Sequence, residues 1–301
     1  MLHRRQFRLG HISKRGDVYL RNLLVQGARS VLHTAAAHQD RMSRWVLELQ
    51  QRRGVALRTR RYERPTRAIE HADCAVIHGN DFTLGTYRYA GKPLYAIPTP
   101  ALALFPPPEG KDIDGCRKRF LWLASHGMVH TGLDLVLDAF AGLPDYHLVV
   151  CGPVQADRDF EEFYWKQLYE SPNVTTVGWL DMDSPRFAEI VNSSIALVYP
   201  SCSEGQAGAV TTCLQAGLIP IVSYQSGVDV DDFGLVLQQC TIEEIRDAVR
   251  RVSGLPTHAL RAMSHRAWAC ARAHYTTEAF ARRYRDVVVE ILASRAAAGP
   301  R

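Results

Sequence analysis

From Phe120 onward the chain alternates short, nearly continuous apolar runs with longer helix-like stretches, and that rhythm constrains the fold more than anything else in it. The strand-like runs are Phe120–Ala124, His147–Cys151, Val174–Val177, Ile195–Tyr199, Ile219–Val222 and, more weakly, Leu235–Leu237. Between them lie Leu133–Phe140, Phe160–Tyr169, Pro185–Asn192 and Ala209–Ala216, with Gly or Pro at most junctions. Strands without polar alternation are buried on both faces. Repeated β-to-α steps therefore predict an α/β domain with a doubly wound parallel sheet. Three further helical stretches, Ile242–Val252, Leu260–His274 and Glu278–Ala293, complete it.

The first third of the chain has a different character. Residues 1–61 hold 14 Lys+Arg against 3 Asp+Glu, whereas the remaining 240 hold 22 against 28, so the overall +5 conceals two segments of opposite sign. Such asymmetry predicts two units with different partners. Leu20, Leu23, Leu24, Gly27 and Val31 share one helical face, and a second amphipathic stretch, Met42 to Gln51, stops at Gly54. Residues 1–54 thus read as a small basic α-helical hairpin and 55–71 as linker. Residues 72–110 contain two short strand-like runs, Cys74–Gly79 and Leu94–Ile97, and a Pro-rich stretch, Pro98 to Pro108, expected to act as a hinge or linker. Residues 111–294 form the main domain and 295–301 a tail.

Seven scattered cysteines without C-x-x-C spacing predict buried thiols in a reducing compartment, with neither a disulfide framework nor structural zinc. No apolar run reaches the roughly 18–20 residues that span a bilayer. The charged start lacks the apolar stretch of a secretory signal, so the expected location is cytoplasmic.

In open α/β sheets ligands bind at the carboxyl ends of the strands. That selects the loops Ser125–Gly132, Gly152–Asp157, Gly178–Ser184 and Pro200–Gly208. The last runs directly into a helix, and its glycines and free N–H groups suit a phosphate. A plain strand-to-helix turn with a solvated Glu204 is the alternative.

Several motifs together resemble the C-terminal half of the group 1 (family 4) retaining glycosyltransferases. They are Gly132-Leu-Asp-Leu-Val-Leu-Asp-Ala-Phe140, Val150-Cys-Gly-Pro153, Val177-Gly-Trp179, Tyr199-Pro-Ser-Cys-Ser-Glu-Gly205 and Ala216-Gly-Leu-Ile-Pro-Ile-Val222. The resemblance implies a Rossmann-like domain, one half of a GT-B architecture, with residues 72–110 as the end of the other half. It implies a nucleotide-sugar donor as partner and Glu204 as the catalytic carboxylate at the sugar. Donor contacts are implied at His126, Gly127, Thr131, Gly178, Trp179, Gly205, Gln206, Ala207, Gly208 and Thr212, with no metal and no cofactor. His126 and Thr131 stand where the family places an Arg and a Lys against the diphosphate, and Thr212 stands where it places a second Glu. Weakened donor binding and poor turnover are therefore expected.

The block Arg8-Leu-Gly-His-Ile-Ser-Lys-Arg-Gly-Asp17, with the helix after it, resembles instead the C-terminal tail of Piv-type insertion-sequence transposases. The metal-ligating acids and the serine of such enzymes are absent, so recombination is not implied. Weak, nonspecific DNA binding through residues 1–61, centred on Lys14, Arg15, Arg21 and Arg29, is the alternative function, and a non-functional gene fusion is a third. Other features read as structural. His126, His130 and His147 lack metal-site spacing, Asp229, Asp231 and Asp232 make a solvated turn, Cys202 has no nucleophile elbow, and Tyr164, Trp165 and Tyr169 pack at helical spacing.

Overall fold

The computed structural model describes residues 72–88 and 91–298, with side chains to 294, all within a unit spanning Ala56–Arg301. The expected hairpin over 1–54, the linker 55–71 and Lys14, Arg15, Arg21 and Arg29 lie outside the described residues.

Six parallel strands form the main sheet: β3 (Arg119–Leu123), β4 (His147–Cys151), β5 (Val174–Gly178), β6 (Ala196–Tyr199), β7 (Ile219–Ser223) and β8 (Leu235–Leu237). They lie in the order β5-β4-β3-β6-β7-β8. The order reverses between β3 and β6, where Phe120 pairs with Ala196 and Leu121 with Leu197. That is the doubly wound arrangement, and its switch point lies at the carboxyl ends of β3 and β6, where open α/β sheets offer a crevice to ligands. The expected near-continuous apolar strands follow from this burial: every residue of β6 and β7 is buried, and Phe120, Leu121 and Trp122 are inaccessible.

Helices α3 (Leu133–Ala141), α4 (Arg158–Phe163), α5 (Pro185–Asn192) and α6 (Gly208–Gln215) connect the strands, followed by α7 (Ile242–Ser253), α8 (Thr257–His274) and α9 (Thr277–Ala298). Their starts carry the chemistry that begins helices. Ser184 Oγ accepts from the N–H of Phe187 at 3.2 Å with Pro185 in the first turn, and Thr241 Oγ1 accepts from Glu244 N–H at 3.2 Å. The helix α9 runs through Ala298, so helix continues into the stretch expected as a tail.

Two expectations change. The single helix over 160–169 is instead α4 followed by a π-turn, Lys166–Glu170. There Leu168 is buried in the core and its carbonyl accepts from Thr176 Oγ1 at 2.8 Å, which ties this turn to β5. The Pro-rich stretch is not a free tether. Ala101 N–H donates to Tyr275 O at 2.9 Å, Leu102 N–H to Thr212 Oγ1 at 3.0 Å, and Trp268 Nε1 to Phe105 O at 3.0 Å. The strap is held to α6 and α8 along its length.

Before the strap, β1 (Ala75–Ile77) and β2 (Leu94–Ala96) pair in parallel as a separate two-stranded sheet. Between them a short helix, α1 (Asp81–Gly85), is capped by Asn80, whose Oδ1 accepts from Phe82 N–H at 3.1 Å. A second short helix, α2 (Ile113–Cys116), leads into β3.

Candidate functional site

The strand β6 ends at Tyr199, and the loop Pro200–Ala207 turns back over the carboxyl end of β3. Its central acid, Glu204, is largely buried, its side chain 17% exposed. Tyr199 donates its hydroxyl to Glu204 Oε1 at 2.9 Å, and Ser201 Oγ donates to the same oxygen at 3.3 Å. Burial pushes the Glu204 carboxyl above its ordinary range, while these two hydrogen bonds pull it back. The chemistry available is a carboxylate held at one oxygen, at the switch point of the sheet.

The facing wall is the loop after β3. Trp122, buried under the sheet, donates Nε1–H to the carbonyl of Thr131 at 3.3 Å, and Thr131 Oγ1 donates to Gly127 O at 2.8 Å. The two loops are joined directly: Cys202 N–H donates to His130 O at 3.0 Å, and Ser201 Oγ lies 3.3 Å from the same carbonyl, an alternative acceptor to Glu204 for its one proton. His130 is buried between them, 3.4 Å from Cys202 Sγ through Nδ1 and 3.7 Å from Glu204 Oε1 through Nε2. Burial pushes its pKa down to about 4, so the imidazole is neutral at neutral pH. At the first turn of α3, Asp134 is also buried, which pushes its pKa up to about 7, and Oδ1 lacks a hydrogen-bond partner among the described residues.

The structure brings Gly127, Glu204, Gly205 and Gly208 to this crevice together with His126, which is exposed and contacts Ser125 Oγ at 2.7 Å. Gln206 turns toward the strap, where Oε1 accepts from Thr99 Oγ1 at 2.7 Å, and Ala207 is buried as the residue before α6. Thr131 is buried with its hydroxyl committed to the backbone. Thr212 is fully buried, and its Oγ1 is committed to Leu102. Gly178, in the left-handed region, and Trp179, 55% exposed, lie at the end of β5, two strands from the switch point. Three residues outside the expected set shape the site. Tyr199 and Ser201 stand in the quoted motif, but nothing in its spacing marks them as holding Oε1. His130, counted among histidines without a role, is the third.

The loops 125–132, 152–157, 178–184 and 200–208 contain Asp157, Asp181, Asp183 and Glu204 and neither Lys nor Arg. The nearest cations in sequence, Arg158 and Arg186, open α4 and α5 and are exposed. Among the described residues no group of three His, Cys, Asp or Glu could hold a metal ion, and no helix is long and apolar enough to cross a membrane.

A parallel sheet of this order is a Rossmann-like fold, the fold of one half of the GT-B architecture. Residues 117–254 match the family model for Glycosyl transferases group 1. Solved structures with the same fold include sucrose-phosphate synthase from Thermosynechococcus elongatus, with TM-score 0.63, 16% identity and 90% of this chain covered. Anabaena HepE in complex with UDP and glucose aligns with TM-score 0.59 at 11% identity over 74% of the chain. The pneumococcal O-GlcNAc transferase GtfA with UDP and GlcNAc aligns with TM-score 0.53 at 14% identity over 77%. The N-terminal 48 residues are 58% identical to a probable family 20 transposase of Pseudomonas aeruginosa strain PAO1, a match covering 16% of this chain. The chain spans 66%, 64% and 47% of those three solved chains and 14% of the transposase.

Proposed function

We propose that the chain binds a nucleotide-activated sugar in the crevice between the loops after β3 and β6. Glu204 holds sugar hydroxyls, and the Gly205–Gly208 turn at the start of α6 receives the phosphates. The observation that carries this reading is the position of Glu204. It is a largely buried carboxylate, anchored by Tyr199 and Ser201 at the switch point of the sheet, within the stretch that matches the group 1 glycosyltransferase model. Two structural neighbours bound to UDP add support.

Efficient transfer also needs an acceptor held in register with the anomeric carbon, an arrangement worth about 7–11 kcal/mol of barrier in favourable cases. The described residues offer one wall of such a site, so we infer slow donor hydrolysis and little transfer by the chain as it stands. Calorimetric titration of the purified chain with UDP, GDP and their glucose and mannose conjugates tests the reading. Absence of heat with every nucleotide overturns it.

A second reading concerns residues 1–61. Their charge and their identity with the transposase favour weak, sequence-independent contact with DNA phosphates through Lys14, Arg15, Arg21 and Arg29, without recombinase activity. The two activities belong to different segments and are tested separately.

A further inference from the structure

The side-chain contacts of Glu204 among the described residues converge on one of its carboxylate oxygens. Tyr199 OH and Ser201 Oγ donate to Oε1, and His130 Nε2 stands 3.7 Å from the same atom, too far for a hydrogen bond and too near to be unrelated. The His130 side chain is only 9% exposed, and Nε2 is buried without a hydrogen-bond partner among the described residues. A buried nitrogen left in that state costs on the order of 1–3 kcal/mol, and such atoms call for a structural or functional reason.

The other side of the ring supplies one. Nδ1 lies 3.4 Å from Cys202 Sγ, and burial pushes the Cys202 thiol up to about 12, so the sulfur keeps its proton. In the tautomer that accepts S–H at Nδ1, the neutral imidazole carries its proton on Nε2, 3.7 Å from Glu204 Oε1, while a hydrogen bond to the Ser203 backbone raises the ring's pKa against its burial. Glu204 itself resists ionisation because it is buried. A ligand hydroxyl that donates to Oε2 favours the ionised carboxylate.

We propose that His130 is a positioning residue for Glu204, the third leg of a cradle with Tyr199 and Ser201 that closes on Oε1 when a sugar hydroxyl engages Oε2. The role rests on the donor-binding reading above. The loop after β3 thereby helps select the sugar without touching it.

The test is a double-mutant cycle on the full chain, read as the ratio of UDP-glucose to UDP affinity by calorimetry, with UDP-N-acetylglucosamine as a second sugar. His130→Phe lowers that ratio about tenfold, the scale of one hydrogen bond to a charged group. His130→Gln, which restores an N–H donor, recovers part of it. In a Glu204→Ala background His130→Phe produces no further change, because its effect passes through the carboxylate. Cys202→Ala lowers the ratio less than His130→Phe, and Cys202→Ser leaves it close to wild type, which keeps the idea testable if the Phe variant does not fold. An unchanged ratio, an equal loss of UDP and UDP-glucose, or additive effects with Glu204→Ala each overturns the proposal while donor binding stands. No binding of either ligand by the wild-type chain overturns both.

Discussion

The hydroxyl of Thr83 donates to the carbonyl oxygen of Gly205 at 2.9 Å across 122 positions of sequence, tying the segment before the strap to the loop that carries Glu204. Around the same carbonyl the backbone closes from two more directions. A Cβ on Gly79 or on Gly227 would run into the Gly205 oxygen, and both glycines have positive φ, 138° and 72°. Residues 72–98 therefore buttress the candidate site. Gly227→Ala combines left-handed strain with that collision and should cost about 1–3 kcal/mol. Thr83→Val should cost about 1 kcal/mol. Urea denaturation measures both, and a neutral Gly227→Ala would show that the 204–206 loop is not held as described.

The loops after β3 and β6 hold Glu204 and neither Lys nor Arg, so a diphosphate meets them with little compensation. Adding a cation should tighten nucleotide binding. His126→Arg, at an exposed position, should do so with little effect on stability. Thr131→Lys should gain affinity but lower the melting temperature, because Thr131 is buried and hydrogen-bonded to Gly127 O. Both gains should shrink as salt rises. Titration of UDP at low and high ionic strength checks this, and no gain from either variant would place the phosphates elsewhere.

The carboxyl of Asp134 and the imidazole of His130 should give stability opposite pH slopes. Folding holds the Asp134 proton up to about pH 7, where the unfolded chain has released it, so the residue's contribution falls as pH rises from about 4 to 7. Asp134→Asn should gain on wild type across that window, by up to about 4 kcal/mol, and level off above it. His130 binds its proton only near pH 4 when folded, against about 6.5 unfolded, so its contribution falls as pH drops between those values. His130→Gln should gain on wild type in the acid direction. Denaturation curves at several pH values, taken as differences from wild type, read both slopes.

Replacing Glu204 should separate binding from fold. Glu204→Gln removes a largely buried charge and keeps the shape, so stability at alkaline pH should hold or rise, while any donor hydrolysis should disappear. Labelled sugar nucleotides, with melting curves alongside, distinguish these effects. Undiminished hydrolysis in the Gln variant would remove Glu204 from the chemistry.

Residues 1–61 should retard duplex DNA in a gel at low salt and lose it as salt rises. Each phosphate contact adds about 0.9 to the slope of log affinity against log salt. Neutralising Lys14, Arg15 and Arg21 together should flatten that slope. Absence of retardation at low salt would reduce the basic segment to a solvated face.

Much of the fold was legible in the sequence because burial on both faces of a parallel sheet leaves a one-dimensional trace. The runs His147–Cys151 and Leu235–Leu237 match their strands residue for residue, and Pro185–Asn192 matches its helix. The loop that carries Glu204 was marked in the sequence as well, by a motif whose residues are consecutive. What depended on distant partners left no such trace. The docking of the π-turn on β5 comes from Leu168 meeting Thr176, and the anchoring of the Pro-rich strap comes from Thr212, Trp268 and Tyr275. The neutrality of His130 and its place beneath Glu204 depend on two loops joined 72 positions apart in sequence. Local pattern determined which residues became strand or helix, since periodicity needs only neighbours. Tertiary packing alone decided which polar atoms were buried, which proton each one kept, and which of them faced the carboxylate.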